Sequence, residues 1–410
     1  MRVLFINTFC DRGGAAIVAQ RLRTVLQNQF GVECFFLAVY GDTTEKNTIA
    51  IRNPVTEFLE KSIDRITNQI GLQYQFFPFS SAAILKKIKA LNPDVISLHN
   101  THGGYFETAL LKRISKLASV VWTLHDMWSF TGNAAHTFGD TSWKSMTNAP
   151  HLTRIYPAIG VNTGSFLLRQ KREIYGKSDL AIVTPSRWLY DLARQSPVFE
   201  GKEILQINNG VDLGVFFKRD KATIRKSLGI AQEAKVLMFS ADQLTGNLWK
   251  GGEDLIQVLR FINEKTDSPI HLLITGLGSL EAVQGMNNFV IHQKGYVKDP
   301  DTMARYFSAS DIFIYPTRAD NLSNVLIEAI ACGTPCVSFD IGGCSEIIQD
   351  DFTGKIIPPS GIMTMAMATL ELLDRPTQLE SFGRNAVDHA RRNFSLEEMG
   401  HRYYSVFKSR

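Results

Sequence analysis

Long apolar runs are what this chain most plainly lacks. Nowhere in its 410 residues are there the roughly 18 uninterrupted apolar residues of a membrane-spanning helix, so any bilayer contact is expected to be peripheral. The opening, MRVLFINTFCDRGG, sets one arginine ahead of an apolar run of about five residues, too short for the core of a secretory signal. It reads as the first β-strand of a cytoplasmic protein. Cysteine is scarce: Cys10, Cys34, Cys332, Cys336 and Cys344 are odd in number, match no zinc-ligand spacing and read as reduced, buried thiols. Charge of one sign is missing too. The 44 Lys and Arg against 40 Asp and Glu leave a net charge of only +4, which excludes a dedicated nucleic-acid binder. No Asp-x-Asp pair stands out as a seat for a divalent cation, and neither metal nor other cofactor is expected.

What remains is a composition that can bury a large core, 44% hydrophobic and 20% charged, at a length that suggests about two to three domains. Short β-branched runs alternate with amphipathic stretches. RVLFIN precedes a helix through Ala16–Gln27 and then VECFFLAV; DVISLH precedes a helix over Phe106–Leu117, then VVWTLH and LAIVTPS. This is the βαβ rhythm of a parallel, doubly wound sheet. It breaks between about Asn133 and Tyr156, an irregular stretch of the kind that is usually functional or mobile. After INNGVDLGVF it restarts with AKVLMFSA, a helix over Asp254–Asn263, IHLLITG, FVIHQKGYV, a helix over Asp301–Ser308, DIFIYP, a helix over Asn324–Ala331 and PCVSFD. Two α/β domains are therefore expected, 1–205 and 206–393, facing a central cleft. Ligands of such sheets gather at the carboxyl ends of strands. A dinucleotide fingerprint is not among them, because ITGLGSLEA has Gly276 and Gly278 but Glu281 in third place, where an acid would repel a pyrophosphate.

The densest chemistry lies in PTRADNLSNVLIEAIACGTPCVSFDIGG, from Pro316. Leu326, Ile327, Ala329 and Ile330 give a short helix an apolar face, and Gly333 can close it. At its start, the N–H groups of residues such as Asn324 and Val325 can receive an anion. Asp320 stands before the helix and Glu328 one turn inside it. Two carboxylates flanking an anion cradle suit a ligand with hydroxyls on both sides of a diphosphate, the layout of a sugar nucleotide.

With its continuation CSEII, this stretch resembles the donor-binding signature of retaining GT-B glycosyltransferases of family 4, in the flavour of the exopolysaccharide and colanic-acid branch. GGAA, HNTHGGYF, WTLHDMWSFTG, TPSRWLYDLA, INNGVDLGVF, the Lys-Gly-Gly at 250–252 and the tail NFSLEEMGHRYYSVF extend the resemblance over nearly the whole chain. It implies an α/β GT-B fold of two Rossmann-like parallel-sheet domains, an acceptor domain over 1–205 and a donor domain over 206–393, with a tail of about 394–410 packed back on the first. Glu328 would hold the ribose and Asp320 the donor sugar. The backbone of Asn321, Leu322, Ser323, Asn324 and Val325 would bind sugar and phosphate, and Lys250 would neutralise the diphosphate. Relatives often carry an arginine about six residues before this lysine; ADQLT has none, which leaves helix N-termini, Arg318 or Arg187 to assist. Tyr296 and Val297 would seat the uracil, and Gly13 and Gly14 would bring the first helix close to the donor. His125 would stand by the transferred hexose, with His99, His102 and Asp126 on the acceptor side. The implied reaction moves a hexose, with a lean to glucose, from a UDP-sugar to a sugar acceptor, free or lipid-linked, at the inner face of a bacterial membrane. A UDP-sugar epimerase of the same architecture and a non-enzymatic two-domain sugar binder are the alternatives.

Overall fold

β1 (Arg2–Phe9) carries Val3, Leu4, Phe5 and Ile6 with none of them touching water. A strand apolar on both faces belongs inside a parallel sheet covered by helices on either side. The structure, a computed structural model, describes residues 1–243, 249–278 and 283–410 and shows that arrangement twice. Glu281, and the place six residues ahead of Lys250 where an arginine was sought, lie outside the described residues.

The first unit comprises Met1–Gly210 together with Glu397–Arg410. β1 is joined by β2 (Glu33–Tyr40), β3 (Thr48–Ala50), β4 (Val95–Leu98), β5 (Ser119–Thr123), β6 (Leu180–Thr184) and β7 (Glu203–Gln206), all parallel, in the order β3-β2-β1-β4-β5-β6-β7. The helices α1 (Gly14–Phe30), α2 (Pro54–Gln69) and α3 (Pro78–Leu91) follow β1 and β3. The expected helix over Phe106–Leu117 is reduced to a 3-10 turn and one α-turn, Leu111–Ile114. At its start the N–H of Thr108 is given to the Tyr74 carbonyl (3.1 Å). The irregular stretch from Asn133 is ordered by that side chain, whose amide donates to the carbonyls of Leu152 (2.9 Å), Ile155 (3.2 Å) and Pro157 (3.1 Å). The helix Leu396–Lys408 completes this unit: the Tyr403 hydroxyl meets Thr123 of β5 at 2.9 Å, and Met399, Tyr403 and Phe407 are buried.

The second unit is Val211–Leu396. Its parallel sheet runs β10-β9-β8-β11-β12-β13, with β8 Lys235–Gln243, β9 Ile270–Leu277, β10 Phe289–Gln293, β11 Ile312–Tyr315, β12 Cys336–Phe339 and β13 Gly354–Ile357. One core layer packs the helix Asn324–Ala331 on one face of the sheet, and another packs the helix Gly252–Lys265 on the opposite face. In each sheet the strand order reverses direction once, at β1/β4 and at β8/β11. Reversal splays the connections apart and opens a crevice above the carboxyl ends of those two strands. Lys250 follows β8, Asp320 follows β11, Gly13 follows β1, and His99 follows β4.

Candidate active site

Lys250 and Asp320 are separated by two helices and the three strands β9, β10 and β11, yet they touch. Lys250 Nζ lies 2.8 Å from Asp320 Oδ2 and 3.3 Å from the Tyr315 hydroxyl, which itself donates to the same carboxylate oxygen. The contact follows from backbone latches. The Trp249 carbonyl accepts from Arg318 N (2.9 Å), Ala319 N (3.2 Å) and Thr317 Oγ1 (2.9 Å), which ties the Lys250 loop to the loop after β11. Gly251 sits in the left-handed region (φ 68°), and a Cβ there would fall 1.6 Å from the Pro316 carbonyl oxygen. On the other side, Gly342 (φ 59°) has room for no Cβ, since one would lie 1.9 Å from the Asp320 carbonyl oxygen; Gly343 N donates to Asn321 O at 2.7 Å. Only glycine fits either place.

Electrostatics keep the pair charged. Burial works to raise the Asp320 pKa, but the Lys250 ammonium, the Tyr315 hydroxyl and the Asn321 N–H (2.9 Å) hold it below the usual carboxylate range. Burial likewise works against the Lys250 ammonium, and the carboxylate overrides it, raising that pKa. Burial and the Asp320 charge push the Tyr315 phenol up, so it remains a donor. Cys344, buried nearby, is raised to about 12 by burial and the same charge.

Beyond Asp320, Ser323 caps the helix Asn324–Ala331 by accepting from Leu326 N. Asn324 and Val325 thus form its first turn, whose N–H groups have no acceptor within the helix. Glu328 is 7% exposed, a buried acid rather than a solvated one. Leu322 is buried, and Tyr296, after β10, is 48% exposed and so not a core tyrosine; Val297 beside it is half-buried. Arg318 does not point its fork at the lysine: it grips Asp254 of the helix Gly252–Lys265 through two 2.6 Å bonds. Arg187 Nε bonds Asp191 on its own helix at 3.0 and 3.1 Å. The sequence Asp299-Pro300-Asp301 is an Asp-x-Asp. Asp299 caps a helix through Thr302 N (3.0 Å) and Asp301 pairs with Arg219 (2.7 Å), so both carboxylates have structural work. No cluster of three metal-ligating side chains occurs among the described residues.

The first unit gathers its four expected polar residues into two linked pairs. His99 Nδ1 and His125 Nε2 are 2.9 Å apart, and His102 Nε2 is 3.0 Å from Asp126 Oδ2. The chain bond from His125 to Asp126 joins the pairs. Burial pushes the His125 pKa down to about 4 and lowers that of His99 as well, so both rings are neutral at neutral pH. Burial would raise Asp126, but His102 holds it below the ordinary range. The Asp126 carboxylate accepts from Trp128 N (2.9 Å), and the Trp128 indole lies 5.4 Å from the His102 ring. Lys171, absent from the sequence reading, is buried beneath: its ammonium donates to the carbonyls of Trp128 (2.6 Å) and Thr131 (3.0 Å) and sits 3.9 Å over the indole. Gly13 caps α1 at φ 82°, and a Cβ there would meet nothing within 4 Å, so conformation alone calls for glycine.

The sequence does not single out Tyr315 or Gly342, while Gly251 lies within the Lys-Gly-Gly at 250–252. The tyrosine closes an apolar strand, and only the glycine pairs in LWKGG and FDIGG gave any signal.

The family model described as Glycosyltransferase Family 4 matches residues 12–215, and that described as Glycosyl transferases group 1 matches residues 235–375. The chain is 25% identical over 207 residues to N-acetyl-alpha-D-glucosaminyl L-malate synthase of Bacillus anthracis, covering 50% of this chain and 54% of that one, about half the relative's length. It is 22% identical to the putative colanic acid biosynthesis glycosyl transferase WcaC of Escherichia coli strain K12, over 100% of both chains. Among solved structures, Anabaena Alr3699/HepE in complex with UDP-glucose superposes with a TM-score of 0.69 at 14% identity, over 100% of both chains.

Proposed function

The chain belongs to family 4 of the GT-B glycosyltransferases, and from that premise we propose that it transfers a hexose, glucose by preference, from a UDP-sugar to a sugar hydroxyl in bacterial envelope or exopolysaccharide synthesis, with retention at the anomeric carbon. The observation that carries this reading is the Lys250-Asp320-Tyr315 cluster at the β8/β11 crevice, beside a capped helix start and the buried Glu328. The likeness to WcaC of colanic acid biosynthesis and to HepE in complex with UDP-glucose supports the pathway and the donor.

On this reading Glu328 receives the ribose hydroxyls and Tyr296 and Val297 the uracil. The first-turn N–H groups and the backbone from Asn321 to Val325 take the diphosphate and sugar. Lys250 exchanges Asp320 for the diphosphate, where negative charge grows as the glycosidic bond breaks. Asp320, relieved of its lysine and still held by Tyr315, turns to the hexose hydroxyls. His125, His99, His102 and Asp126 serve the hexose and an acceptor, lipid-linked and at the inner membrane face. The departing phosphate oxygen takes the acceptor's proton, so no protein nucleophile and no divalent cation are required. UDP release measured over a panel of UDP- and GDP-sugars, with and without lipid-linked acceptor, tests this. Acceptor-dependent release of UDP that survives EDTA is expected. Release restored only by Mn²⁺ removes the metal-free mechanism, and interconversion of UDP-sugars without release marks an epimerase.

A further inference from the structure

α2 is built inside out. Glu60 and Asp64 lie on the side that packs on the unit, while Val55, Phe58, Leu59 and Ile66 face water; Phe58 is 72%, Val55 69% and Ile66 60% exposed. A surface helix ordinarily turns its apolar stripe inward. The inner side shows what this orientation demands. Glu60, fully buried, is held by Arg52 at 2.6 Å and by Ser80 N at 2.8 Å, and burial pushes the Asp64 carboxyl up to about 6. A buried ion pair gains little over apolar contact. Internal packing alone would have favoured the opposite face, so the outward apolar stripe answers to something outside the chain. It continues through Ile70 after the helix and Phe76 and Phe79 toward α3.

Charge says what that is. Arg65 is exposed on the flank of the stripe, beside Lys61, which shares its ammonium with Glu57 at 2.6 Å, and the open face of α3 adds Lys86 and Lys89. No helix among the described residues is long and apolar enough to cross a bilayer. Large apolar side chains bordered by cations fit the interfacial zone of an anionic membrane. We infer that α2 lies in the surface of a bilayer that carries anionic lipid, with Phe58 and Ile66 among the acyl chains and Arg65 and Lys61 at headgroup phosphates. The buried side of the same helix reaches the turn after His102, since a Cβ on Gly104 would meet Asp64 Oδ2 at 2.7 Å. A docked α2 therefore sets the His102–Asp126 pair about one helix diameter from the lipid surface.

Co-sedimentation of the full chain with vesicles of phosphatidylcholine, alone or mixed with phosphatidylglycerol, tests the inference. Binding to the mixed vesicles is expected, weakened by salt, and reduced about tenfold or more by the pair Phe58→Ser and Ile66→Ser. The pair Lys61→Glu and Arg65→Glu should weaken binding to mixed vesicles only. Unchanged UDP affinity and unfolding midpoint certify that the variants fold. No binding to mixed vesicles, or binding that neither pair of substitutions alters, overturns the inference. So does a dimer that Phe58→Ser and Ile66→Ser dissociate in the absence of vesicle binding, which would assign the face to a second copy. The assay uses neither donor nor acceptor, so a chain that binds vesicles but transfers no sugar would sink the transferase reading and leave this one standing.

Discussion

Tyr315→Phe isolates one hydroxyl at the centre of the donor cluster. The ring is 1% exposed and stays packed in the variant, so the change removes only the bond from its hydroxyl to Asp320 Oδ2 and the 3.3 Å contact with Lys250. A hydrogen bond to a charged partner contributes about 1.5–3 kcal/mol. Here the Asp320 side chain is 17% and that of Lys250 35% exposed, which lets solvent screen part of that, so the lower end, about 1.5 kcal/mol, applies. Once Lys250 turns to the diphosphate, this hydroxyl is the side-chain donor that still holds Asp320. The loss should then fall on the transition state, with kcat down about tenfold and UDP affinity nearly unchanged. Stability gives a second readout. The Asp320 pKa is depressed in the folded chain, so its contribution is present above the unfolded pKa and lost as pH falls through the folded value. Without the hydroxyl the folded pKa rises, and acid unfolding should begin at higher pH. UDP-release kinetics and urea midpoints across the acid range measure both. Parental kcat together with an unmoved acid limb would refute the positioning argument.

Glu328→Ala should weaken calorimetric UDP binding by about 2–4 kcal/mol, two lost carboxylate-ribose bonds at a 7% exposed site; affinity equal to the parent would remove Glu328 from the nucleotide. His125, pushed down to about 4 by burial, is neutral when folded but takes a proton when unfolded below its ordinary pKa, so it lowers stability as pH falls from about 7 toward 4. His125→Gln should flatten that slope in urea titrations while lowering kcat about tenfold; an unchanged slope would place the ring outside this linkage, and an unchanged kcat would make the residue structural.

The doubly wound sheets were legible because their strands are apolar on both faces, and the helix Asn324–Ala331 has the bounds its sequence suggests. α2 and α3 escaped that reading. Periodicity finds helices by assuming that the apolar stripe marks the core, and in α2 it marks the outside. Glu328 could be singled out by spacing, yet its burial could not, since a helical glutamate is ordinarily solvated. The Lys250–Asp320 contact was hidden for another reason. It depends on the Trp249 carbonyl receiving the N–H groups of Arg318 and Ala319 along with the Thr317 hydroxyl, and the two backbone bonds leave no trace in side-chain identity.

The return of residues 397–410 to the first unit bears on synthesis. Val211 N donates to Phe394 O at 2.8 Å, and Leu396 N donates back to Val211 O at 3.1 Å, so the second unit leaves the first and rejoins it at one short ladder. It is an insertion whose two ends already meet, and it can close as soon as it clears the ribosome. The first unit cannot. Its sheet emerges early, but the side chains of Met399, Tyr403 and Phe407 that complete its core are translated only after the whole of the second unit. Vectorial synthesis usually lets the leading domain fold first. Here the leading domain must wait for the trailing one, with apolar surface near Val25 and Thr123 uncovered until the second unit has been made.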